Sequence, residues 1–590
     1  MVTSLSARSP PAIRTARRQL APFLAGPRDS EDYQPGRARQ QTRSLQQNIA
    51  MVASATPDPV RGPVGQKIGD VEPEPSSHAE VLQSVHREIW EDAEAQELGG
   101  LKANGTFTPV TAPPGRSPIG ARWVYKWKSD GFGEVTKAKA RLVAKGFSQK
   151  PGVDYDETFA PTPASPSIRL LVATAVEQDF DLFHFDAEQA FVQSDLDNEI
   201  YMRLPPGCGD LSGKVVLFHK SLYGLKQASR TWNKLLVSRL KGYGFEQCKA
   251  DPCIFRLMDE ELDSVRMMLA AHVDDMVLAC KGAKECESLR AFLSESFPTN
   301  NLGKLRYYTG CSFERDKRRG TLTISQAACV NKLLERFNIT TTSPIPASPS
   351  NYLRPREETE AETEEPFREA VGSLMWVANM TRPDILNAVR EVARHSHSPS
   401  DTHWKAVNQI LRYLKGTSGL GLTFRKGAST DLITFADADY ARNKEHRRSV
   451  SGGVIMYFGA AIAYISRTQR CVSLSSTEAE YNAMGNGVKE LLFVRQVLRF
   501  LRPGHKFKRV TIFEDNEGAI SLVSNRLGSG RSKHIDVRHH FLRELMEQKR
   551  IVIVKVKTER RRADILTKAL VKKLFFAHRN YLLNERWCLD

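Results

Sequence analysis

The most apolar stretch of the chain, Val265–Cys280, is broken at its centre by two adjacent acids: VRMMLAA, then His272, Val273, Asp274 and Asp275, then MVLAC. Two strand-length apolar runs joined at paired acids read as a β-hairpin with both carboxylates at its tip. A bilayer span needs roughly 20 apolar residues and no stretch reaches that, so the chain is not read as a membrane protein. Adjacent like charges beside buried strands repel. A bound divalent cation or a raised pKa relieves them, and an ordinary solvated turn is the alternative.

The 590 residues allow three to five domains at about 100 to 200 residues each. With 41% hydrophobic and 26% charged residues, the composition is that of a folded protein. Lys plus Arg outnumber Asp plus Glu by 85 to 68, and the net +17 favours a polyanionic partner such as nucleic acid. The nine cysteines begin at Cys208 and never fall as C-x-x-C. That argues against a disulfide framework and against a zinc ribbon or knuckle, and for reduced thiols in a cytosolic or nuclear protein.

Residues 1–78 are rich in Arg, Pro, Ser and Gln without a sustained apolar period, and are expected to be a disordered basic leader. Its opening has no acid before Asp29, a transit-peptide trait that its prolines oppose. From His78, HAEVLQSVHREIWEDAEAQELGGL returns apolar residues at helical spacing. TTSPIPASPSNYLRPREETEAETEE is read as a solvated boundary, followed by helical MWVANMTRPDILNAVREVARH and HWKAVNQILRYLKG. The expected segments after the leader are 79–345, 346–430, 431–572 and a C-terminal tail, 573–590.

Another acid stands in DFDLFHFDAEQAFVQSDL. Phe180, Leu182, His184 and Asp186 share one face of an alternating strand and Phe183 and Phe185 the other, so Asp186 ends an apolar strand. An acid at a strand end plus a paired-acid hairpin is the oxygen set that a two-metal phosphoryl-transfer site needs, with two Mg²⁺ about 4 Å apart. One ion would lower the pKa of an attacking 3′-hydroxyl and the other would neutralise the leaving pyrophosphate.

Beyond Gly427, DLITFADADYA reads as a strand ending at Asp437 and VTIFEDNEGAI as one ending at Asp515. SLSSTEAEYNAM starts a helix carrying Glu480, and IVIVKVKTERRRADILTKAL gives a strand, a basic loop and a helix opened by Asp564. Each acid has a plain structural alternative. Thr477 with Glu480 three residues on is a capping box, and Asp515 and Asp564 precede helical runs whose dipole favours an acid. His534, His539 and His540 have ligand-like spacing but no cysteine nearby, and are read as surface or stacking histidines of a helix.

Taken in order, these motifs resemble the reverse transcriptase of copia-type LTR retrotransposons. The likeness is carried by Asp186 followed by Phe191, then IYMRLPPG, SLYGLKQASRTW and HVDD. ARWVYKWK, KAKARLVAKGFSQKPGVDYDETFAPT and IRLLVATA precede them; VGSLMWVANMTRPDI, HWKAVNQILRYLKGT, SLSSTEAEY, KHIDVRHHFLRE and ADILTKAL follow, and the whole spans roughly residues 80 to 572.

The resemblance implies an α/β and α+β multidomain chain: a right-hand polymerase of fingers, palm and thumb, then a ribonuclease H-like α/β domain. It implies an RNA-directed DNA polymerase that extends a primer on RNA or DNA and cuts RNA in RNA–DNA hybrids. Its substrates would be template-primer, hybrid and dNTPs, its cofactors two Mg²⁺ or Mn²⁺ per active site, and its place cytoplasmic particles or the nucleus. By the same resemblance, Asp186, Asp274 and Asp275 would hold the polymerase ions. Asp437 (rather than neighbouring Asp439), Glu480, Asp515 and Asp564 would hold those of the nuclease. Phe191 would be the steric gate against a ribose 2′-hydroxyl, and Lys139 and Arg141 would contact the incoming triphosphate. Tyr223, Gly224 and Gln227 would flank the template and nucleotide pocket, with Gly224 allowing close backbone approach.

The chain departs from the family pattern at His272, where Tyr is usual, at Ser229, where Pro is usual, and at Tyr440, where Trp is usual. Around Ser194 it lacks a turn glycine, a loss of about 1 kcal/mol if the backbone there needs positive φ. No D-[ST]-G motif stands in residues 1–78 and no cysteine precedes Cys208, so the chain reads as the C-terminal part of a Pol polyprotein behind an unrelated or residual leader. Two other readings stay open: a weakened or inactive remnant that only binds nucleic acid, and a chain that keeps ribonuclease activity alone.

Overall fold

The computed structural model describes residues 63, 65–129, 133–259, 261–505, 509–524 and 536–585, without the side chains of 536–540. The leader up to residue 62, His534 and the side chains of His539 and His540 lie outside this description. Among the described residues no helix is long and apolar enough to cross a membrane. The leader was expected to run loose through residue 78, yet it is anchored from residue 65, where Gly65 N donates to Val135 O at 3.4 Å and Gln66 O accepts from Val135 N at 2.9 Å. Lys67 bridges Glu134, Trp127 Nε1 donates to Glu72 O at 3.0 Å, and Lys126 pairs with Glu74 at 3.0 Å.

The first sheet orders its strands Phe107–Pro109, Val215–Lys220, Asp195–Arg203, Ile119–Ser129 and Val135–Ala144. Ala121, Trp123, Tyr125 and Trp127 are buried while Arg122, Val124 and Lys126 are exposed, the period-two pattern of a strand with one wet face. Trp90 of helix Arg87–Ala103 packs against Tyr125 and Trp127 at 5.5 and 4.3 Å between ring centroids. The single helix expected from His78 is two, His78–Val81 and Arg87–Ala103. Between them Ser84 bonds Glu72 at 2.5 Å and accepts from His86 N at 3.1 Å, a side-chain turn that competes with helix.

The second sheet orders its strands Thr299–Lys304, Asp181–Ala187, Asp275–Cys280, Ser264–His272, Ile254–Asp259 and Glu246–Gln247. Alternation sends Phe180, Leu182, Met268, Ala270 and Val277 into one core and Phe183, Phe185, Met267, Leu269 and Met276 into another. Helices Ala228–Gly242 and Ala283–Ser294 cover the latter face, through Trp232, Leu236 and Leu289. Helix Ser165–Glu177 covers the former, and every residue from Pro166 to Val176 is buried, the signature of a helix packed on all sides.

What packs on its far side is the C-terminal sheet. That sheet orders its strands Ala460–Thr468, Val450–Tyr457, Ile433–Asp439, Val510–Glu514 and Ile551–Lys555; its first two pairings are antiparallel and its last two parallel. Helix Ser476–Leu501 lies across it, and one apolar core runs from Ile168 to Leu583. Arg169 cross-links the two parts, donating to Ile462 O at 2.8 Å, Met380 O at 2.7 Å and Tyr464 Oη at 3.0 Å. The segment between them, expected to be solvated linker, has few regular elements but packs Ile345, Ala347 and Leu353 on that core. Its carbonyl at Arg354 accepts from His403 Nε2 at 2.8 Å. The expected tail is instead helix Lys572–Leu583, with Phe575, Leu582 and Leu583 buried, because KKLFFAHRNYLL is apolar enough on one side to complete the core.

Buried histidines set a pH dependence. Burial pushes His395 down to about 4, with its stacked neighbour His403, 3.9 Å away, also opposing its charge; burial likewise pushes His578 down to about 3. A group that protonates more readily unfolded than folded costs stability as pH falls through that window. Melting temperature is therefore expected to drop between pH 6.5 and pH 4, and to drop less in His395→Leu/His578→Leu; an identical profile in that variant refutes the assignment.

Candidate functional site

The first acid cluster is built by strand register. Asp186 is the cross-strand partner of Asp275, and Asp275 that of His272. The connecting turn is Val273–Asp274, and Val273 holds φ +62, a left-handed conformation that costs a β-branched residue about 1–3 kcal/mol. Trp232 Nε1 donates to Val273 O at 2.7 Å and Ala187 N to Asp274 O at 3.1 Å, and these bonds keep the turn in place. Asp274 is pushed up to about 6 by burial and then by Asp275 and Asp186; Asp186 is raised by burial and then by Asp275. His184 Nε2 sits 3.1 Å from Asp275 Oδ1. His184 and His272 both stand edge-on to buried Tyr308, at 6.0 and 6.4 Å.

The expected nucleotide-side residues gather beside these acids. The Arg141 guanidinium lies 5.2 Å over the Tyr223 ring, which meets Phe191 edge-on at 5.1 Å. Gly224 has φ +89, and a Cβ there would lie 2.2 Å from Ala144 O, so only glycine fits. Gln227 is buried with its amide spent inside the protein: its oxygen accepts from Gln149 Nε2 at 3.0 Å and its nitrogen donates to Asp154 O at 2.9 Å. It ties the loop after Ala144 in place. Sequence reasoning missed Lys128. Lys126 opposes Lys139 and Lys128 opposes Lys137 across the hairpin; Lys126 is answered by Glu74, while Lys128 is crowded by the cations of Arg141, Lys139 and Lys137. Burial, then Arg141 and Lys139, push Lys128 down to about 8, and burial lowers Lys139. The alternation of Lys126 and Lys128 along their strand was the available signal.

Two departures from the family pattern carry no backbone strain. Ser194 has φ −98, and its buried hydroxyl bonds Thr231 Oγ1 and Phe191 O, each at 3.0 Å, so the expected glycine penalty does not arise. Ser229 is the second residue of helix Ala228–Gly242, where the N–H has no intrahelical acceptor to lose.

The second cluster gathers Asp437, Glu480, Asp515 and Asp564, all expected, around Arg561, which was not. Asp437 is fully buried inside strand Ile433–Asp439 and accepts from Thr567 Oγ1; Asp439 instead pairs with Arg442 at 3.3 Å. Glu480 is free of any cap, because helix Ser476–Leu501 is capped by Ser475, whose Oγ accepts from Glu478 N at 3.1 Å. The Thr477 capping box is thereby corrected. The strand expected to end at Asp515 ends at Glu514, a buried acid that reasoning overlooked. Asp564 opens a single 3-10 turn, Asp564–Leu566, in place of a helix. Carboxylate oxygens of Glu480, Glu514 and Asp515 lie within 4.8 Å of one another, and Glu480 Oε2 and Glu514 Oε2 are buried without a hydrogen-bond partner. Burial and mutual repulsion raise Asp437, Glu480 and Glu514.

Residues 104–349 match the family described as reverse transcriptase (RNA-dependent DNA polymerase). The chain is 36% identical over 513 residues to the retrovirus-related Pol polyprotein from transposon TNT 1-94 of Nicotiana tabacum, covering 85% of this chain and 38% of that one. Against the Pol polyprotein from transposon RE1 of Arabidopsis thaliana it is 34% identical over 500 residues, covering 84% and 34%. Over most of its length the chain is thus similar to Pol polyproteins of plant copia-type retrotransposons. It spans about a third of the length of these Pol relatives. A solved foamy viral protease-reverse transcriptase in complex with RNA/DNA hybrid aligns with 95% of this chain and 64% of that one, at TM-score 0.45 and 13% identity. The reverse transcriptase match contains Asp186, Asp274, Asp275 and the residues around them, and the second cluster lies beyond it.

Proposed function

We propose that the chain is an RNA-directed DNA polymerase fused to a ribonuclease H. In this reading residues 79–345 are fingers, palm and thumb, 346–430 a connection and 431–572 the nuclease. The polymerase half rests on one juxtaposition: Asp186 and Asp275 share a register position, with the Arg141, Tyr223 and Phe191 stack beside them.

Reverse transcriptases use divalent ions, and both clusters offer the oxygen donors that hard cations take. Asp186, Asp274 and Asp275 would hold one set. Asp437, Glu480, Asp515 and Asp564, with Glu514 added, would hold the other, and the two orphaned glutamate oxygens support that fit. When bound, the ions activate a primer 3′-hydroxyl or a water and neutralise the departing oxygen. The chain's own residues do the rest. Tyr223 fixes the Phe191 ring, which closes the space where a ribose 2′-hydroxyl would sit. Arg141, Lys139 and Lys128 present cations to the triphosphate of a dNTP, whose negative charge eases their mutual repulsion. The net +17 holds template-primer or hybrid along the chain. A remnant that only binds nucleic acid is favoured by one observation, the contact of Arg561 with four acids.

Primer extension on poly(rA)/oligo(dT) in Mg²⁺ or Mn²⁺, run beside cleavage of an RNA–DNA hybrid, tests both halves. The natural chain is expected to extend and to cleave, and Asp515→Asn to lose cleavage alone. No extension in either ion overturns the polymerase, and cleavage unchanged in Asp515→Asn overturns the nuclease site.

A further inference from the structure

The two clusters differ in what stands between their acids. Among the described residues no Lys or Arg nitrogen comes within ion-pair distance of Asp186, Asp274 or Asp275; the ring nitrogen of His184 lies 3.1 Å from Asp275 Oδ1. In the second cluster Arg561 Nη2 lies 2.8 Å from Asp437 Oδ1 and Nη1 lies 3.1 Å from Glu480 Oε1. Nη1 also bonds Asp515 Oδ1, and Nε lies 2.6 Å from Asp564 Oδ1. One side chain touches all four expected metal ligands.

We propose that Arg561 is a built-in cation plug: its guanidinium takes the position between the carboxylates that divalent ions would take, and those ions bind only when it swings out. This rests on reading the second cluster as the nuclease centre. Arg561 is 6% exposed, while the neighbouring cations Lys557 and Arg560 are exposed and Arg562 turns away, over the Tyr581 ring at 4.6 Å. Of that loop's basic residues it alone is aimed at the acids.

A guanidinium keeps its charge at any pH at which a protein folds, so it cannot leave by losing a proton and has to be outcompeted. It is a poor substitute for the ions. Arg561 and Lys568, the latter 3.2 Å from Asp564, bring two positive charges to five carboxylates, and Glu480 Oε2 and Glu514 Oε2 stay unpartnered. The loop that carries it can yield. Between strand Ile551–Lys555 and the turn at Asp564 its regular structure is one 3-10 turn, Thr558–Arg560, and Arg561 N is held to Thr558 O at 3.1 Å. The phosphodiester backbone of a bound strand offers the displaced guanidinium a bidentate anion in exchange. Ions thus load the first cluster freely, whereas the second stays closed until ions and phosphate together displace Arg561.

The test is Mn²⁺ binding by calorimetry to the full chain carrying Asp274→Asn and Asp275→Asn, so that the first cluster is silent. Arg561→Gln is expected to bind at least about tenfold more tightly than the chain with Arg561, an advantage of about 1.4 kcal/mol or more. Arg561→Lys, whose compact head cannot bridge four acids, is expected to fall between, and decides the matter if the Gln variant fails to fold in chelator. Asp564→Asn is expected to remove the binding. Equal or weaker affinity in Arg561→Gln overturns the plug and leaves the nuclease reading standing. No Mn²⁺ bound by Arg561→Gln at all overturns both.

Discussion

Asp186→Asn is expected to lower primer extension on the order of 10³-fold while leaving hybrid cleavage unchanged and the folded state at least as stable. Asparagine keeps the shape of the side chain and removes one full charge. In the folded chain that charge is held against burial and against Asp275, its cross-strand partner, which together raise the Asp186 pKa. Removing it relieves repulsion, so melting in chelator should be unchanged or higher. Loss of extension therefore cannot be put down to misfolding. A structural acid would behave the other way, with stability falling and extension falling only in step. Extension by Asp186→Asn within a few fold of the natural chain would sink the assignment.

How much of this was legible depends on whether a local pattern admits one geometry or several. The hairpin acids were legible because strand alternation has a period of two. Once Phe183 and Phe185 face one core and Leu182 the other, the side on which Asp186 lies follows, whereas its pairing with Asp275 is set by the register between strands, which alternation does not fix. Glu480 was legible as a helical acid, but its cap was not. Ser475 with Glu478 and Thr477 with Glu480 have the same spacing, and only the extended backbone at Ser475, φ −147 and ψ 161, identifies it as the cap. Glu514 was hidden beside Asp515, because a strand end one residue earlier exchanges which of two neighbouring acids is buried. Arg561 could not be read at all. It stands among three consecutive arginines whose different fates are set by tertiary contacts: Arg560 exposed, Arg561 on the acids, Arg562 against Tyr581 and His578. The family resemblance placed Ser194 at a strained turn, and only the backbone angle removed that expectation.

A variant far from both clusters is expected to remove both activities at once. Arg382 and Asp384 form a fully buried pair, with Nε to Oδ1 at 2.9 Å and Nη2 to Oδ2 at 2.8 Å. Tyr413 Oη donates to the same carboxylate at 2.6 Å, and Arg382 Nη1 reaches Thr417 O at 2.7 Å. Asp384→Ala leaves the guanidinium buried with no counter-charge, a change that costs about 3–5 kcal/mol, against roughly 5–15 kcal/mol of total stability in an ordinary domain. The pair sits in the one apolar core that runs from Ile168 beneath the first cluster to Leu583 beyond the second, so its loss has no domain boundary at which to stop. Melting should fall steeply as a single transition, and extension and cleavage should decline together on warming, unlike in Asp186→Asn or Asp515→Asn, where one activity survives. If Asp384→Ala instead lost one activity and kept the other at the same temperature, the two halves would be unfolding independently and the shared core would not couple them.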